Sequence, residues 1–556
     1  MIAEPQPRTF SSLINNIEEG QIKIPQFQRN FVWELKKCTS LLDSIVKGYP
    51  IGTLIFWKTK ERLRAIRNIG GCDLPEPNES DSVEYVLDGQ QRLTALFASL
   101  KGLEVERANA KTDDFKEMYI DLEAKDDDTI VITDITTKDP EAIIRITDLL
   151  NGGIALLATY PSKYLDKLDQ YKSRMQSYNF STIQVTEAAL DIATEIFTRI
   201  NIGGKPLTLF EIMVAKTFDS KDNFDLSEKF MELIEDLKPL NYETISDATV
   251  LQTVSLIIDS ECKRQTILKL DKKDFINIWP KAIAAIESAV VYFKQFYRIP
   301  VSQLLPYNAL IVPFSYFFYH HPDTPTGDKQ KYLQDFFWRC SLSGRYSSGV
   351  EGKLAQDIKR IDTILKDVLP LYEWSIDTSP EFIKQNGWFS AGRSYVKAIL
   401  CIYTYHQPES FNNNALVNLS NYWLKQANSK NYHHFFPRSY LKKNDKEAIA
   451  NHILNITIVD DFLNKREIRD QAPSKYMKKF KNLNPHNLPD AMKTHLITDL
   501  DNFGIWTDDY DLFIEKRAHI VSKELQKRII KQDIDYKAQP ALINDYDEEA
   551  PEPIEL

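Results

Sequence analysis

Two hydrophobic periods share the first hundred residues, and one of them dominates the rest of the chain. Residues 11–20 (SSLINNIEEG) place apolar side chains at helical spacing behind a serine cap and stop at Gly20. Residues 36–48 (KKCTSLLDSIVKG) repeat the pattern and stop at Gly48. Between them, residues 21–34 (QIKIPQFQRNFVWE) read as extended. GTLIFWK (52–58) and VEYVLDG (83–89) are β-rich apolar runs, separated by a loop-like stretch, GGCDLPEPNESDS. IVITDI, beginning at Ile130, adds another strand signal. From about residue 160 the spacing turns helical. ALDIATEIFTRI (189–200) predicts a helix, NIGGKPL a turn, and TLFEIMVAKTF a helix capped by Thr208. Residues 220–380 predict amphipathic helices interrupted at Pro280, Pro300, Pro306 and the loop HHPDTPTGD. Residues 381–430 and 481–540 read as helix again. The pattern is that of an α+β multidomain protein with a small mixed sheet near its start.

Size agrees with this. The chain has 556 residues, too many for a single core. The expected divisions are 1–220, a helical connecting region 221–380, a third domain 381–540, and an acidic Pro-containing tail 541–556. No apolar run approaches the roughly 20 residues a bilayer span needs, and MIAEPQPRTF carries no signal-like apolar core. The five cysteines are scattered without a CxxC pair, so a reducing cytoplasm is expected and a zinc ribbon is not. The net charge of −10 argues against a chain that merely coats nucleic acid. Any DNA contact must be local, and residues 425–480 offer one place for it, with twelve Lys/Arg against six Asp/Glu.

That basic segment also carries the strongest candidate chemistry. His433-His434-Phe435-Phe436-Pro437 is followed by Asn455 and Asn464. Hydrolysis of a phosphodiester needs an imidazole to take a proton from water. It also needs side chains that hold a divalent metal, and an amide that fixes the base. His434 is the expected base, His433 and Asn464 the metal ligands, and Asn455 the amide that hydrogen-bonds the loop aiming His434. Tyr432–Phe436 and Ile453–Val459 suit two strands, and Asn464 suits a helix N-terminus. Lys442, Lys443, Lys465, Arg466 and Arg469 are near enough in sequence to contact phosphates. A chance histidine pair is the alternative reading; His320-His321 is such a pair, with no role assigned.

A second motif, Asp88-Gly89-Gln90-Gln91-Arg92, runs from an apolar strand through a glycine turn into a helix. Helix N-termini favour phosphate, and Arg92 can add a bidentate contact. Asp88 reads as a metal ligand, a helix cap or a base, and a plain capped Asp-Gly turn is the alternative.

The run HHFFP…N…N resembles the pattern of HNH nuclease domains, in which an acidic residue usually precedes the base; here that position is His433. An imidazole there leans toward Mn²⁺, Ni²⁺ or Zn²⁺ rather than Mg²⁺. DGQQR, together with IPQFQRNFVW upstream and FTRINIGGKPL downstream, resembles the ParB/sulfiredoxin-like N-terminal domain of GmrSD-type modification-dependent restriction endonucleases. SGRYSSG (343–349) resembles a segment of the same family. The resemblance implies an NTP-binding and hydrolysing sensor domain and a mostly helical C-terminal domain containing a ββα-metal HNH unit at about 430–480. It also implies a nucleotide site made by Asp88, Gly89, Gln90, Gln91 and Arg92, with Gln28, Arg29, Arg199 and Asn201 lining the same cleft.

The expected function is therefore a bacterial anti-phage endonuclease, sensing modified or foreign DNA. It would use a divalent metal (Mg, Mn or Ni) and an NTP (GTP, UTP or ATP), and a homo-oligomeric state fits this reading. The other reading is a nucleotide-responsive DNA-binding scaffold with a weakened nuclease. An NTP-dependent small-molecule enzyme ranks last, because it leaves the basic segment unexplained.

Overall fold

A computed structural model of the chain describes residues 2–25, 31–63, 65–66, 68–69, 72–78, 80–106, 112–125, 127–200, 207–219, 222–390, 392–421, 432–459, 468 and 470–537. The fold is α+β, and the chain divides into two compact units, Met1–Leu226 and Ser227–Leu556.

The first unit is built on a six-stranded mixed sheet. Its strands are β1 (Ile2–Thr9), β2 (Ile22–Pro25), β3 (Leu54–Thr59), β4 (Ala65–Ile66), β5 (Val83–Asp88) and β6 (Asn179–Thr186). They lie in the order β1-β6-β3-β5-β2-β4. β6 runs parallel to β3 and β5 parallel to β2, while the remaining neighbours are antiparallel. Val83 to Leu87 of β5 are all buried, so apolar side chains stand on both faces of the strand, with Glu84 the charge among them and paired with Arg8. Val86 and Phe56 face a core shared with helices α1 (Phe10–Glu18), α2 (Leu35–Val46), α3 (Gln90–Lys101) and α4 (Ser162–Gln176). Tyr85 and Trp57 take the other face, their rings 5.8 Å apart. The Trp57 indole N–H donates to the Ala188 carbonyl at 3.0 Å, just ahead of α5 (Leu190–Ile200).

The cap of α1 differs from expectation. Thr9, the last residue of β1, accepts from the Ser12 N–H, because its extended backbone points the hydroxyl back over the first turn; Ser11 and Ser12 lie inside the helix. In α6 (Leu209–Thr217) the expected Thr208 cap is present and is reciprocated by Glu211, forming a capping box.

The second unit is mainly helical, with α7 (Asp247–Asp259), α8 (Lys272–Gln295), α9 (Ile311–His320), α10 (Gly327–Leu342) and α11 (Val350–Leu365). Pro280 does not interrupt α8, which runs through it for 24 residues. An internal proline costs about 3 kcal/mol. Burying Phe275, Trp279, Ala282, Ile286 and Phe293 on one continuous face offsets that, since each large apolar side chain contributes about 1.5–3 kcal/mol. Among the described residues, helix covers less of 381–430 than its pattern predicts. Between α12 (Pro380–Asn386), α13 (Ser394–Tyr405) and Asn421 the chain is loop from His406 to Ser420, with Gln407 and Asn414 in left-handed conformation.

The His/Asn segment folds as a short ribbon of two strands, β7 (Tyr432–His434) and β8 (Ile456–Ile458), antiparallel with His433 opposite Thr457. Both strands are shorter than predicted. Ile453–Asn455 is a 3₁₀ turn, started by His452, whose Nδ1 accepts from the Leu454 N–H. The ribbon rests on α14 (Arg438–Lys443), α15 (Pro473–Leu483) and α16 (Tyr510–Gln526) through a core that includes Phe435, Phe436, Leu441, Tyr476, Phe480 and Phe513. Among the described residues, no helix is long and apolar enough to cross a membrane.

Candidate functional site

In the first unit, Asp88 ends β5 and Gly89 turns the chain into α3 with φ of +94°. Only glycine suits this turn, because a Cβ there would lie 2.3 Å from the Leu54 side chain. Arg92, one turn into the helix, is fully engaged. Its Nη1 donates to the Ile51 carbonyl at 2.8 Å, and its Nη2 to the Thr53 carbonyl and to Asp88 Oδ2, both at 2.9 Å. The bidentate phosphate contact expected of Arg92 would therefore have to displace backbone carbonyls it already holds. Gln90 and Gln91 are buried. Gln91 Oε1 accepts from the backbone N–H groups of Val32 (2.8 Å) and Trp33 (3.3 Å), and its Nε2 donates to Gln90 Oε1. The motif thus ties together the start of α3, the 51–53 loop and the 32–33 segment. Asp88 remains about one-third exposed. Arg199 sits on the surface in an i,i+4 ion pair with Glu195. Gln28, Arg29 and Asn201 lie outside the described residues.

In the second unit, adjacent positions on β7 send His433 and His434 to opposite faces of the ribbon. His433 is 2% exposed. Its Nδ1 is 3.1 Å from Thr457 Oγ1, and that hydroxyl also lies 3.4 Å from the His433 carbonyl. With the hydroxyl donating to that carbonyl, Thr457 accepts from Nδ1–H and the lone pair is on Nε2. Nε2 is buried and has no hydrogen-bond partner. Burial, reinforced by His434 and His495, holds the His433 pKa down at about 3, so the ring is neutral. His434 is half-buried, with Nε2 3.1 Å from Asn451 Oδ1. Desolvation lowers its pKa, opposed by the Asn451 hydrogen bond and assisted by nearby Arg438.

Asn455 is wholly buried and bonded on all sides. Its Oδ1 accepts from the Phe436 N–H at 2.8 Å, and its Nδ2 donates to the carbonyls of Phe436 (3.0 Å) and Ala450 (2.9 Å). It pins the turn that follows His434. Two further side chains hold this turn from the helices. The Tyr476 hydroxyl donates to the Phe435 carbonyl at 2.6 Å, and Arg517 donates to the carbonyls of Leu454 and Ile456, on either side of Asn455.

A neutral, buried imidazole with a free lone pair is the ligating form of histidine. His433 thus fits one position of a divalent metal's coordination shell. Among the described residues no group of three His, Cys, Asp or Glu could enclose a metal ion. Asn464, the other expected ligand, lies outside the described residues, as do Lys465, Arg466 and Arg469.

Comparison with known proteins bears on the first unit. Residues 10–218 match the GmrSD restriction endonuclease N-terminal domain. The chain is also 24% identical over 522 residues to an uncharacterized protein of Methanocaldococcus jannaschii, covering 85% of this chain and 86% of that one. The GmrSD match contains both Gln91 and the Val32–Trp33 segment it fastens, and it supports a restriction-endonuclease-like class with DNA as substrate.

The match to the GmrSD N-terminal domain ends before the SGRYSSG string, which the second unit uses internally. Arg345 Nε and the Tyr346 hydroxyl both donate to Asp357 Oδ2, at 2.8 and 2.7 Å, and the Arg345 guanidinium lies 4.1 Å from the Trp374 ring centroid. Lys442 and Lys443 are exposed but pair with Glu447 and Asp470, so each expected phosphate contact already has a carboxylate nearby. Sequence reasoning did not single out Arg438, Asn451, Thr457 or Arg517. Arg438 follows Pro437 directly and was visible as a cation beside the motif. The other three acquire meaning only from strand pairing and helix packing.

Proposed function

We propose that the protein is an NTP-regulated DNA endonuclease of anti-phage defence, with its cutting centre on the His433/His434 ribbon. The observation that supports this most is the pairing of two neutral imidazoles on opposite faces of one short strand. One has a buried Nε2 with no hydrogen-bond partner among the described residues, and the other stands half-exposed near Arg438, an exposed cation that among the described residues carries no ion pair. In this reading His434 takes a proton from water as the water oxygen bonds to phosphorus and the bond from phosphorus to the 3′ oxygen breaks. His433 and Asn464 would hold a divalent metal, which when bound polarises the phosphate and stabilises the leaving oxygen. Asn455 keeps the His434 turn rigid, and Arg438 offers a phosphate contact. With imidazole in place of a carboxylate, Mn²⁺ or Ni²⁺ is expected to serve better than Mg²⁺. In the ParB-like sensor domain, Asp88, about one-third exposed and paired with Arg92, is the acidic group of the motif offered to a nucleotide, while Gln90, Gln91 and Arg92 shape its surroundings.

Nicking of supercoiled plasmid tests the proposal. Wild type and His434→Ala are compared with Mg²⁺, Mn²⁺ and Ni²⁺, with and without each NTP, on modified and unmodified DNA. Metal-dependent nicking lost in the variant supports the nuclease. DNA binding without nicking under every condition favours a scaffold with a weakened nuclease, a reading to which the complete burial of His433 lends weight.

A further inference from the structure

Outside the ribbon, a strap from about 60 residues upstream runs alongside its turn. The Ile453 N–H donates to the Gly387 carbonyl at 2.7 Å, Trp388 bridges His452, and the Phe389 N–H donates to the Asn451 carbonyl at 3.1 Å. The Asn451 side chain completes the link, with Nδ2 donating to the Phe389 carbonyl at 2.9 Å and Oδ1 3.1 Å from His434 Nε2.

We infer that Asn451, clamped by the Gly387–Phe389 strap, is a positioning residue that fixes the tautomer of His434 and makes Nδ1 the nitrogen that receives the proton from water. A backbone carbonyl can only accept, so the Asn451 atom facing Phe389 is the amide nitrogen. The atom facing His434 is then the amide oxygen, which also only accepts. Nε2 of His434 must therefore carry the hydrogen, and a neutral ring has just one, so the lone pair is on Nδ1. The strap has no slack. A Cβ on Gly387 would lie 2.5 Å from His452 Cε1 and 2.7 Å from the Ile383 carbonyl, so only glycine lets the backbone come this close. The inference rests on the reading of His434 as the base, and it adds the atom that acts and the residue that selects it.

The test uses the full chain with ¹⁵N-histidine, the His434 signal being assigned by its loss in His434→Ala. Long-range ¹H–¹⁵N correlation is expected to show the Nε2–H form in wild type and a tautomer mixture in Asn451→Ala. Plasmid nicking with Mn²⁺ is expected to show kcat reduced roughly 10- to 100-fold in Asn451→Ala with KM changed less than about twofold. Asn451→Asp, which keeps an acceptor, recovers part of the rate. Gly387→Ala is expected to mix the tautomers with both histidines intact. An Nδ1–H form in wild type, or an unchanged kcat in Asn451→Ala, overturns the inference. If wild type nicks nothing with any divalent metal, the nuclease reading falls, while the wild-type tautomer still decides whether Asn451 controls the ring.

Discussion

Nη1 of Arg92 fills the space over Gly52: a Cβ built there would lie 2.5 Å from it, and Gly52 has φ of +87°. Arginine and glycine thus form one device, with the guanidinium gripping the Ile51 and Thr53 carbonyls across a residue that has no side chain. Gly52→Ala is expected to displace the arginine and to destabilise the first unit by about 1–3 kcal/mol, from backbone strain and weakened charged hydrogen bonds. Arg92→Ala should cost a similar amount and release Asp88 from its ion pair. Urea unfolding followed by far-UV circular dichroism and NTPase assays of both variants check this. Unchanged unfolding in both would refute the clamp.

The second unit should be acid-sensitive because it buries neutral histidines. Burial holds His452 and His495 down at pKa values of about 4, against an unfolded value near 6.5. Between those values the unfolded chain binds more protons than the folded one. Stability therefore rises with pH through this window and levels off above about pH 6.5. Each histidine contributes a slope approaching about 1.4 kcal/mol per pH unit. His495→Gln, which keeps a donor for the Glu409 carbonyl, should flatten the dependence. Unfolding midpoints measured from pH 4 to 8 give the slope directly, and a flat wild-type profile would contradict this account.

Arg517 is fully buried and, among the described residues, has no carboxylate partner; its Nε and Nη2 make no hydrogen bond. Its guanidinium lies 4.5 Å from the Tyr403 ring centroid, a cation–π contact that replaces part of the lost hydration. Arg517→Ala removes the two hydrogen bonds flanking Asn455 and leaves a cavity, with an expected loss of about 3 kcal/mol or more. Arg517→Met removes the same buried charge but fills most of the volume, so it should be milder. Comparing urea midpoints of the two variants checks the order, and a more stable alanine variant would show the guanidinium to be a burden.

For DNA binding, Arg438 should outweigh its neighbours. It is exposed and, among the described residues, carries no ion pair, whereas Lys442 and Lys443 each face a carboxylate. Arg438→Ala is expected to lower the slope of log affinity against log salt by about 1. Lys442→Ala and Lys443→Ala should each change it less. Fluorescence anisotropy across a salt series measures all three, and equal slopes would remove the distinction.

What could be read from the chain in advance was what depends on near neighbours. Thr208 and Glu211 announce a capping box three residues apart, and VLDGQQR spells strand, turn and helix without outside help. Pro280 was misread because its local penalty is plain, while the burial of Phe275, Trp279 and Ile286 that overcomes it belongs to packing. Thr9 displaced the serines as cap because the end of β1 sets the hydroxyl's direction. At the ribbon, the residue types of His433, His434 and Asn455 marked the place. Asn451 and Thr457, which settle the state of each ring, look like ordinary polar residues until β7 and β8 pair.

The Gly387–Phe389 strap bears on how this centre could be moved or trimmed. A fragment cut at residue 430 would keep both histidines and Asn455 yet leave the carbonyl of Phe389 behind. The smallest portable piece must start ahead of α12 and, because of Arg517, continue through α16. In this chain the ribbon is no detachable cassette, and exchanging it between relatives would require exchanging the strap with it.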